Sequence, residues 1–466
     1  MILAIDIGTS GCRAGLFESD GMLVSLAGQP WAISSSEEEG YSEQNPGDIL
    51  QAFTGAVQLA LAGRGGDVSR VVIDSQLHSL LLVDGGGAPL TPLSIWADSR
   101  AAEECRLLSG QYRENQWQKR NGCPLSPSYP LARLLWYRRH LPSLYARFAW
   151  AVSIKSCILQ KILGIAVEDQ ALASASGLFN LAEKQWDAEI LDYIGLSVGR
   201  LPQLVPVEQE LPGDYTAFGR TLGISSQALW VAGGGDGQMA HLGTVGYRTD
   251  MLSMTIGTSC AVRRTSFENG ADQREAVWTY LLDGSHAISG MASSNGGNVL
   301  DWYLKNLIGS VVDWPALEAE LAVSVFDAKL LFFPFLFKER TASVAGAHAS
   351  GFLGVRGGHT RIDLIRSLLE GIAFHACRMA TGFAGCGSPP VALSGSLAES
   401  TFVRQVIAET LARPVTASLL SHAPLYGSLK LLGVELPESA EVVVPVFVNG
   451  YAEKFAEWCE KCEVKG

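Results

Sequence analysis

The residues Asp6, Gly8, Thr9 and Ser10 hold the makings of a phosphate site within one short turn. An apolar run from Ile2 to Ile5 enters the turn and another from Ala14 to Phe17 leaves it, which reads as strand, turn, strand. Three backbone N–H groups and two hydroxyls can cradle a phosphate, and Asp6 offers the oxygen ligand that a hard cation requires. The word Ile-Gly-Thr-Ser returns at Ile256–Ser259, again after an apolar run, with Thr255 where the first copy has Asp6. One copy alone needs no more than a tight turn to explain it. Repetition of the word with its context points to a duplicated architecture. Two similar halves would then face one nucleotide, and only the first would carry the metal carboxylate.

A second chemical block is Leu229–Gly243, LWVAGGGDGQMAHLG, where an apolar strand meets three glycines, Asp236, and a helix start. Glycines let the backbone bend sharply and bring a carboxylate to a ligand-facing loop beside the positive end of a helix. An Asp serving as a simple helix cap is the alternative, but three glycines exceed what a cap requires. A third set lies in Val71–Arg100. His78 falls at a break between two apolar runs, and Trp96, Asp98 and Arg100 alternate at period two, so that an extended segment would point them to one side. Carboxylate and imidazole suit hydroxyl groups and an indole face suits carbons, the needs of a polyol ligand. A core histidine and an Asp98–Arg100 ion pair explain the same residues equally well. Lys155 is the other cation that could meet an anionic ligand, and it too could be held in a structural pair.

The elements that position these residues follow from the pattern. A loop at Gly40–Leu50 precedes a surface helix over Ile49–Leu61, and the runs about the glycine turn Gly85–Gly87 read as hairpin-joined strands. Pro130–Leu163 is helical, and Ala171–Trp186 is rich in small residues, as close backbone approach demands. In the second half Ser293–Trp302 is a glycine turn entering a helix, and Leu330–Arg340 is a buried strand. Asp363–Met379 is an amphipathic core helix, with Glu370 and His375 read as structural. Val391–Leu411 runs strand, turn, helix, and its Gly395–Ser396 turn could admit the adenine or ribose of a nucleotide.

Composition bounds the rest. A chain of 466 residues suggests two to three domains, and the repeat favours two, 1–244 and 245–466. A formal charge of -12 without Lys/Arg clusters argues against a nucleic-acid groove. Asp6 interrupts the apolar start, so no secretory signal is expected, and the longest apolar run, Leu330–Phe337, is too short for a bilayer. Nine scattered cysteines fit reduced thiols in a cytoplasm, and the lone Cys459/Cys462 pair offers no zinc site.

With these blocks in place the chain resembles the FGGY carbohydrate kinases over nearly all its length. DIGTSGCR at Asp6–Arg13 is similar to the family's first phosphate motif, QLHSL at Gln76–Leu80 and IWADSR to its sugar-binding segments, and GGGDG to the loop of its catalytic Asp. SGFLGV at Ser350–Val355 with DLIRSLLE at Asp363–Glu370 is similar to the C-terminal signature, and SIK at Ser153–Lys155 with ASASGLFN at Ala173–Asn180 is most like gluconate kinases. The resemblance implies two actin-like, ribonuclease-H-like α/β domains with a deep cleft, the sugar on the first and ATP mainly on the second. It implies that Asp6 organises Mg²⁺, that Thr9, Arg13, Gly257 and Thr258 approach the phosphates, that His78, Trp96 and Asp98 bind the polyol, and that Asp236 is the general base. An acidic acceptor such as D-gluconate would need a cation, for which Arg100 and Lys155 are the candidates. A ketose or polyol kinase (xylulose, ribulose, glycerol) and an actin-like ATPase switch are the other readings, and the resemblance leaves room for a homodimer. Ser396 stands where the family usually has a second glycine, and Lys338-Glu339-Arg340 where it has a small residue before Glu-Arg.

Overall fold

The computed structural model describes residues 1–36, 38–211, 214–266, 272, 274, 277–308, 313–339, 349–384, 389–418, 422–436, 440–443 and 450–463. Arg340 of the Lys-Glu-Arg word lies outside them. Strand Ile2–Ile7 is buried at all six positions, as expected of a strand covered on both faces. It pairs antiparallel with Gly11–Phe17 and parallel with Arg70–Ser75. The six-stranded sheet continues through Leu23–Pro30 at one edge and through Leu229–Val231 and Glu210–Leu211 at the other.

The second half repeats this plan. Leu252–Ile256 pairs antiparallel with Cys260–Ser266 and parallel with Val391–Ser394. The sheet extends through Ala287–Ser293 to Trp278–Leu281 on one side and through Val415–Ser418 to Ala440–Val443 on the other. Each Ile-Gly-Thr-Ser word thus turns the central hairpin of its own sheet, so the molecule is two α/β domains of like topology.

Helix Pro46–Leu61 covers the first sheet with Ile49, Phe53, Ala56, Val57 and Ala60; Asn45 caps it by accepting from Gly47 N–H at 2.8 Å, and Pro46 suits its first turn. Helix Ile154–Leu163 is capped by Ser153 and joins the same core. In the second domain the long helix Arg361–Ala384 packs Ile365, Leu368, Leu369, Ile372, Ala373 and Ala376 into the core of that sheet, the faces its sequence marked as apolar. No helix among the described residues is long and apolar enough to cross a membrane.

The runs about Gly85–Gly87 do face each other across the turn: Val83 is bridged antiparallel to Pro89 and Leu80 to Ser94, with Leu90 N–H donating to Leu82 O at 2.8 Å, while Leu81–Val83 pairs on its other edge with Trp150–Val152. One local expectation is corrected. Residues 96–100 are turn and irregular chain rather than an extended segment: Asp98 and Arg100 turn to each other, and Trp96 turns to Thr9. The strand there ends at Ser94, because Asp98 folds back to accept the Ser42 N–H at 3.1 Å.

The halves are interleaved. Helix Ala423–Leu431, late in the sequence, lays Leu425 and Leu429 against Ile2, Ala4, Phe17 and Val72 of the first sheet. Strand Trp278–Leu281 reaches the small-residue segment Ala171–Ser176: Leu281 N–H donates to Ser174 Oγ at 2.9 Å, and Gln238 Nε2 bridges the carbonyls of Ala171 and Leu281. Close approach of backbones is what the run of Ala and Ser permits.

Candidate active site

Three carboxylates converge at the C-terminal ends of neighbouring parallel segments of the first sheet, the edge at which ligands of open α/β sheets are bound. Asp6 and Asp74 are register partners on adjacent strands. Ser75 is bridged to Gly235, and Ser75 N–H donates to Gly234 O at 3.3 Å, which sets the glycine loop and Asp236 alongside them. Gly233 has φ 65°, and a Cβ there would lie 2.1 Å from the Ile73 carbonyl oxygen. A side chain would therefore push the loop off the sheet. Gly235 is the helix cap and Asp236 the first residue of helix Asp236–Val245, so Asp236 is not spent on capping. Its Oδ1 accepts the Gly237 N–H at 2.6 Å, and the Leu77 N–H also serves it.

The electrostatics set these three apart. Burial, with the charge of Asp6 adding to it, lifts Asp236 to about 7, against the partial relief of the Gly237 N–H and of Arg263. Burial likewise raises Asp6, opposed by Arg13, whose Nη1 is 3.4 Å from Asp6 Oδ2. Asp74 is raised well above the carboxylate range by burial and by the charges of Asp6 and Asp236. Its Oδ2 accepts from Ser428 at 3.0 Å, while Oδ1 of Asp74 and Oδ1 of Asp6 are buried with no donor from the rest of the protein, the two carboxyls lying within hydrogen-bonding reach of each other. Two desolvated carboxylates facing each other are what a divalent cation offsets, and Mg²⁺ binds through one or two carboxylates plus phosphate oxygens. The residues present therefore fit the cation, with Asp74 a member of the set that the sequence reading missed.

The corresponding positions of the second domain carry hydroxyls instead. Thr255 is in register with Ser394, and their oxygens are 3.0 Å apart. Thr258, Gly395 and Ser396 are exposed around the second turn. Gly395 has φ 93°, and a Cβ on it would come within 2.6 Å of the Ile256 carbonyl. Gly297 N–H donates to Gly257 O at 2.6 Å. The turn at Ser293–Asn295 is held by Glu339, which accepts from Ser293 Oγ at 2.5 Å, Asn295 Nδ2 at 2.7 Å and Ser294 N–H at 2.9 Å. The Glu of the divergent Lys-Glu-Arg word thus braces this wall. In the first domain Gly8 N–H closes the turn on Gly11 O at 3.0 Å, Ser10 is exposed, and Thr9 is pinned: its carbonyl accepts from Gln44 and Trp31, and its hydroxyl from Trp96 at 3.0 Å.

His78 lies beside this group in a cavity with Leu77, Tyr129, Arg263, Trp278 and Tyr280. It has φ 62°, a conformation that costs a non-glycine residue energy and persists where the surroundings enforce it. The enforcer is the buried Arg133, which holds the His78 carbonyl together with Ser128 O at 2.8 Å, Ser94 Oγ at 2.7 Å and Ile95 O at 3.3 Å. His78 Nδ1 donates to Ala175 O at 2.7 Å, which in a neutral imidazole would make Nε2 the acceptor.

Three expected ligands of the acceptor are placed otherwise. Asp98 is buried and grips Arg100 bidentately, at 3.0 Å to Nε and 2.6 Å to Nη2, besides Ser42 N–H. Arg100 also pairs with Glu43 and stacks over Trp136. Lys155 is 1% exposed, 2.5 Å from Asp169 Oδ2, and donates to Ala232 O and Gly234 O, each at 2.9 Å. It braces the glycine loop from behind. The physical reason is common to all three: Asp98 and Lys155 are buried and Arg100 is largely withdrawn from solvent, and each charge is therefore already paired. Trp96 turns its indole N–H to the Gly8–Ser10 turn.

The chain matches known proteins over both halves. Residues 1–243 match the N-terminal domain of the FGGY family of carbohydrate kinases and residues 252–436 its C-terminal domain. A gluconokinase of Bacillus licheniformis is 27% identical over 425 residues, 88% of this chain and 82% of that protein. Solved structures of a xylulose kinase and a gluconate kinase, both from Lactobacillus acidophilus, superpose with TM-scores of 0.90 and 0.89 at 23% identity, covering 98% of this chain and 97% and 96% of theirs. The chain is a two-domain sugar kinase by fold and sequence, and it belongs to the FGGY family of carbohydrate kinases.

Proposed function

We propose that the protein transfers the γ-phosphoryl group of ATP to a terminal hydroxyl of a linear sugar acid, D-gluconate in the first instance. The observation that carries the reading is Asp236: a carboxylate lifted to about 7, beside the acceptor cavity on one side and the Asp6–Asp74 pair on the other. A base with that affinity for a proton can take one from an alcohol as the oxygen attacks. The hydroxyl oxygen forms its bond to the γ-phosphorus, the bond from that phosphorus to the β,γ-bridging oxygen breaks, ADP leaves, and the proton stays on Asp236.

Asp6 and Asp74 would hold Mg²⁺, which when bound supplies charge neutralisation at the phosphate oxygens. Arg13 and the Gly8–Ser10 turn approach the triphosphate from the first domain; Gly257, Thr258, Gly395 and Ser396 approach it from the second. His78 accepts a hydroxyl of the sugar. Tyr129 and Tyr280, whose hydroxyls are 2.8 Å apart, close the cavity across the domain boundary.

The near-equal likeness to a gluconate kinase and a xylulose kinase supports a second reading, in which the acceptor is a neutral ketose. ADP release with D-gluconate, D-xylulose, L-ribulose and glycerol separates the two. Gluconate should give the highest kcat/KM. A neutral acceptor in first place overturns the substrate while leaving the kinase, and hydrolysis unaffected by any acceptor overturns both.

A further inference from the structure

A sugar acid brings a negative charge into a molecule of net charge -12, beside three carboxylates, and the two cations expected to meet it are engaged elsewhere. Among the described residues lining the acceptor cavity, one carries a guanidinium or ammonium group: Arg263. It comes from strand Cys260–Ser266 of the second domain, paired to Ser253 and Gly290 on the flanking strands. Alternation along the strand sends its neighbour Arg264 to the other face, where Nε donates to Thr249 O at 3.1 Å. Arg263 Nη1 donates to Thr255 Oγ1 at 3.1 Å, which aims the group from one side. On another side it lies against the backbone after Asp236: a Cβ on Gly237 would be 3.4 Å from Nη2, at contact distance. The guanidinium is near enough to Asp236 to lower its pKa, and it shares the cavity with His78, Tyr129 and Trp278.

We propose that Arg263 receives the carboxylate of the acceptor and sets the preference for an acid over a neutral sugar, an inference that rests on the kinase reading above. A planar guanidinium accepts a carboxylate on two parallel N–H bonds and keeps its charge at any working pH.

Removing Arg263 also alters Asp236, whose pKa it lowers, and so depresses turnover of every acceptor. The readout is therefore the ratio of kcat/KM for D-gluconate to that for D-xylulose, from which the common effect cancels. In Arg263→Gln this ratio should fall roughly ten- to a hundredfold, the range for a charge-assisted hydrogen-bonded pair, with KM for gluconate rising most. Arg263→Lys should keep part of the preference, which also shows that the site folds. Arg264→Gln, on the other face of the strand, should leave the ratio unchanged. An equal loss on both acceptors in Arg263→Gln would assign the guanidinium to the transferring phosphoryl group and overturn the proposal. If the wild type prefers xylulose, the substrate reading fails on its own. The ratio in Arg263→Gln still decides the role of Arg263 from residual gluconate turnover, and an unmoved ratio overturns it.

Discussion

At the scale of single residues, the site is a case of like charges forced together. Asp236 at about 7 is too basic for an exposed carboxylate, and the cause is burial reinforced by Asp6. Asp236→Asn keeps the shape and removes the base, so kcat should fall about 10²- to 10⁴-fold while ATP binding by calorimetry stays near wild type. Retention of half the wild-type kcat would show that Asp236 is not the base. The acid limb of the pH–rate profile should shift to lower pH as Mg²⁺ is raised, because a cation at Asp6 removes the repulsion. Stability carries the opposite signature. A carboxylate whose folded pKa is raised binds its proton more tightly in the native state, so its contribution is present at low pH and lost as pH rises from about 4 through 7. Asp74→Asn, which can still accept from Ser428, should therefore raise the Tm of the metal-free protein more at pH 8 than at pH 5, and should sharply raise the Mg²⁺ requirement. A Tm gain equal at the two pH values would remove repulsion as the cause. Of these groups Asp6 was legible because it adjoins a repeated turn. Asp74 was not, since an Asp within VVIDSQ looks like any strand residue until the register sets it opposite Asp6. Arg133 and Arg263 were hidden for a similar reason: their partners lie on segments far away in sequence.

At the scale of elements, local pattern reported which faces are apolar and where chains must come close, and it reported them well. The helix Arg361–Ala384, the small residues at Ala171–Ser176, and the two hairpins all follow from it. What period-two spacing could not show was the turn at residues 96–100, because the carboxylate that folds it back bonds to Ser42 on another segment. Lys155 is a similar case. A Ser-Ile-Lys at a helix start resembles a ligand-facing cation, and only the fold brings Asp169 to it. The element that carries Asp236 is seated by glycine. Helix Asp236–Val245 crosses helix Ala423–Leu431 so closely that a Cβ on Gly427 would lie 1.8 Å from Met239 O, and one on Gly243 2.1 Å from Ala423 O. Gly427→Ala cannot be absorbed by a flexible side chain, because the obstacle is backbone. It should cost about 1–3 kcal/mol of stability, read by denaturant unfolding, and should lower kcat through displacement of Asp236. An unchanged midpoint with full activity would mean that the helices separate freely.

At the scale of the whole molecule, the two domains are joined by more than a linker, and the joint reaches the Asp6–Asp74 pair. Helix Ala423–Leu431 belongs by sequence to the second half but rests on the first sheet, and its Ser428 donates to Asp74 Oδ2 at 3.0 Å. Of the influences on Asp74 this is the one that favours its charged form, against burial and the charges of Asp6 and Asp236. Ser428→Ala removes the donor without adding bulk, so helix packing should survive. Asp74 should then hold its proton more tightly, and the proton should compete with Mg²⁺. The apparent Mg²⁺ affinity should fall roughly tenfold, within the range for a lost hydrogen bond to a buried charged group. Because the competitor is a proton, the Mg²⁺ requirement of both proteins should fall as pH rises from 6 to 8. The measurement is the Mg²⁺ concentration for half-maximal rate at the two pH values, with ATP held saturating. If Ser428→Ala alters KM for both substrates but leaves the Mg²⁺ requirement independent of pH, the helix acts on domain geometry and not on Asp74.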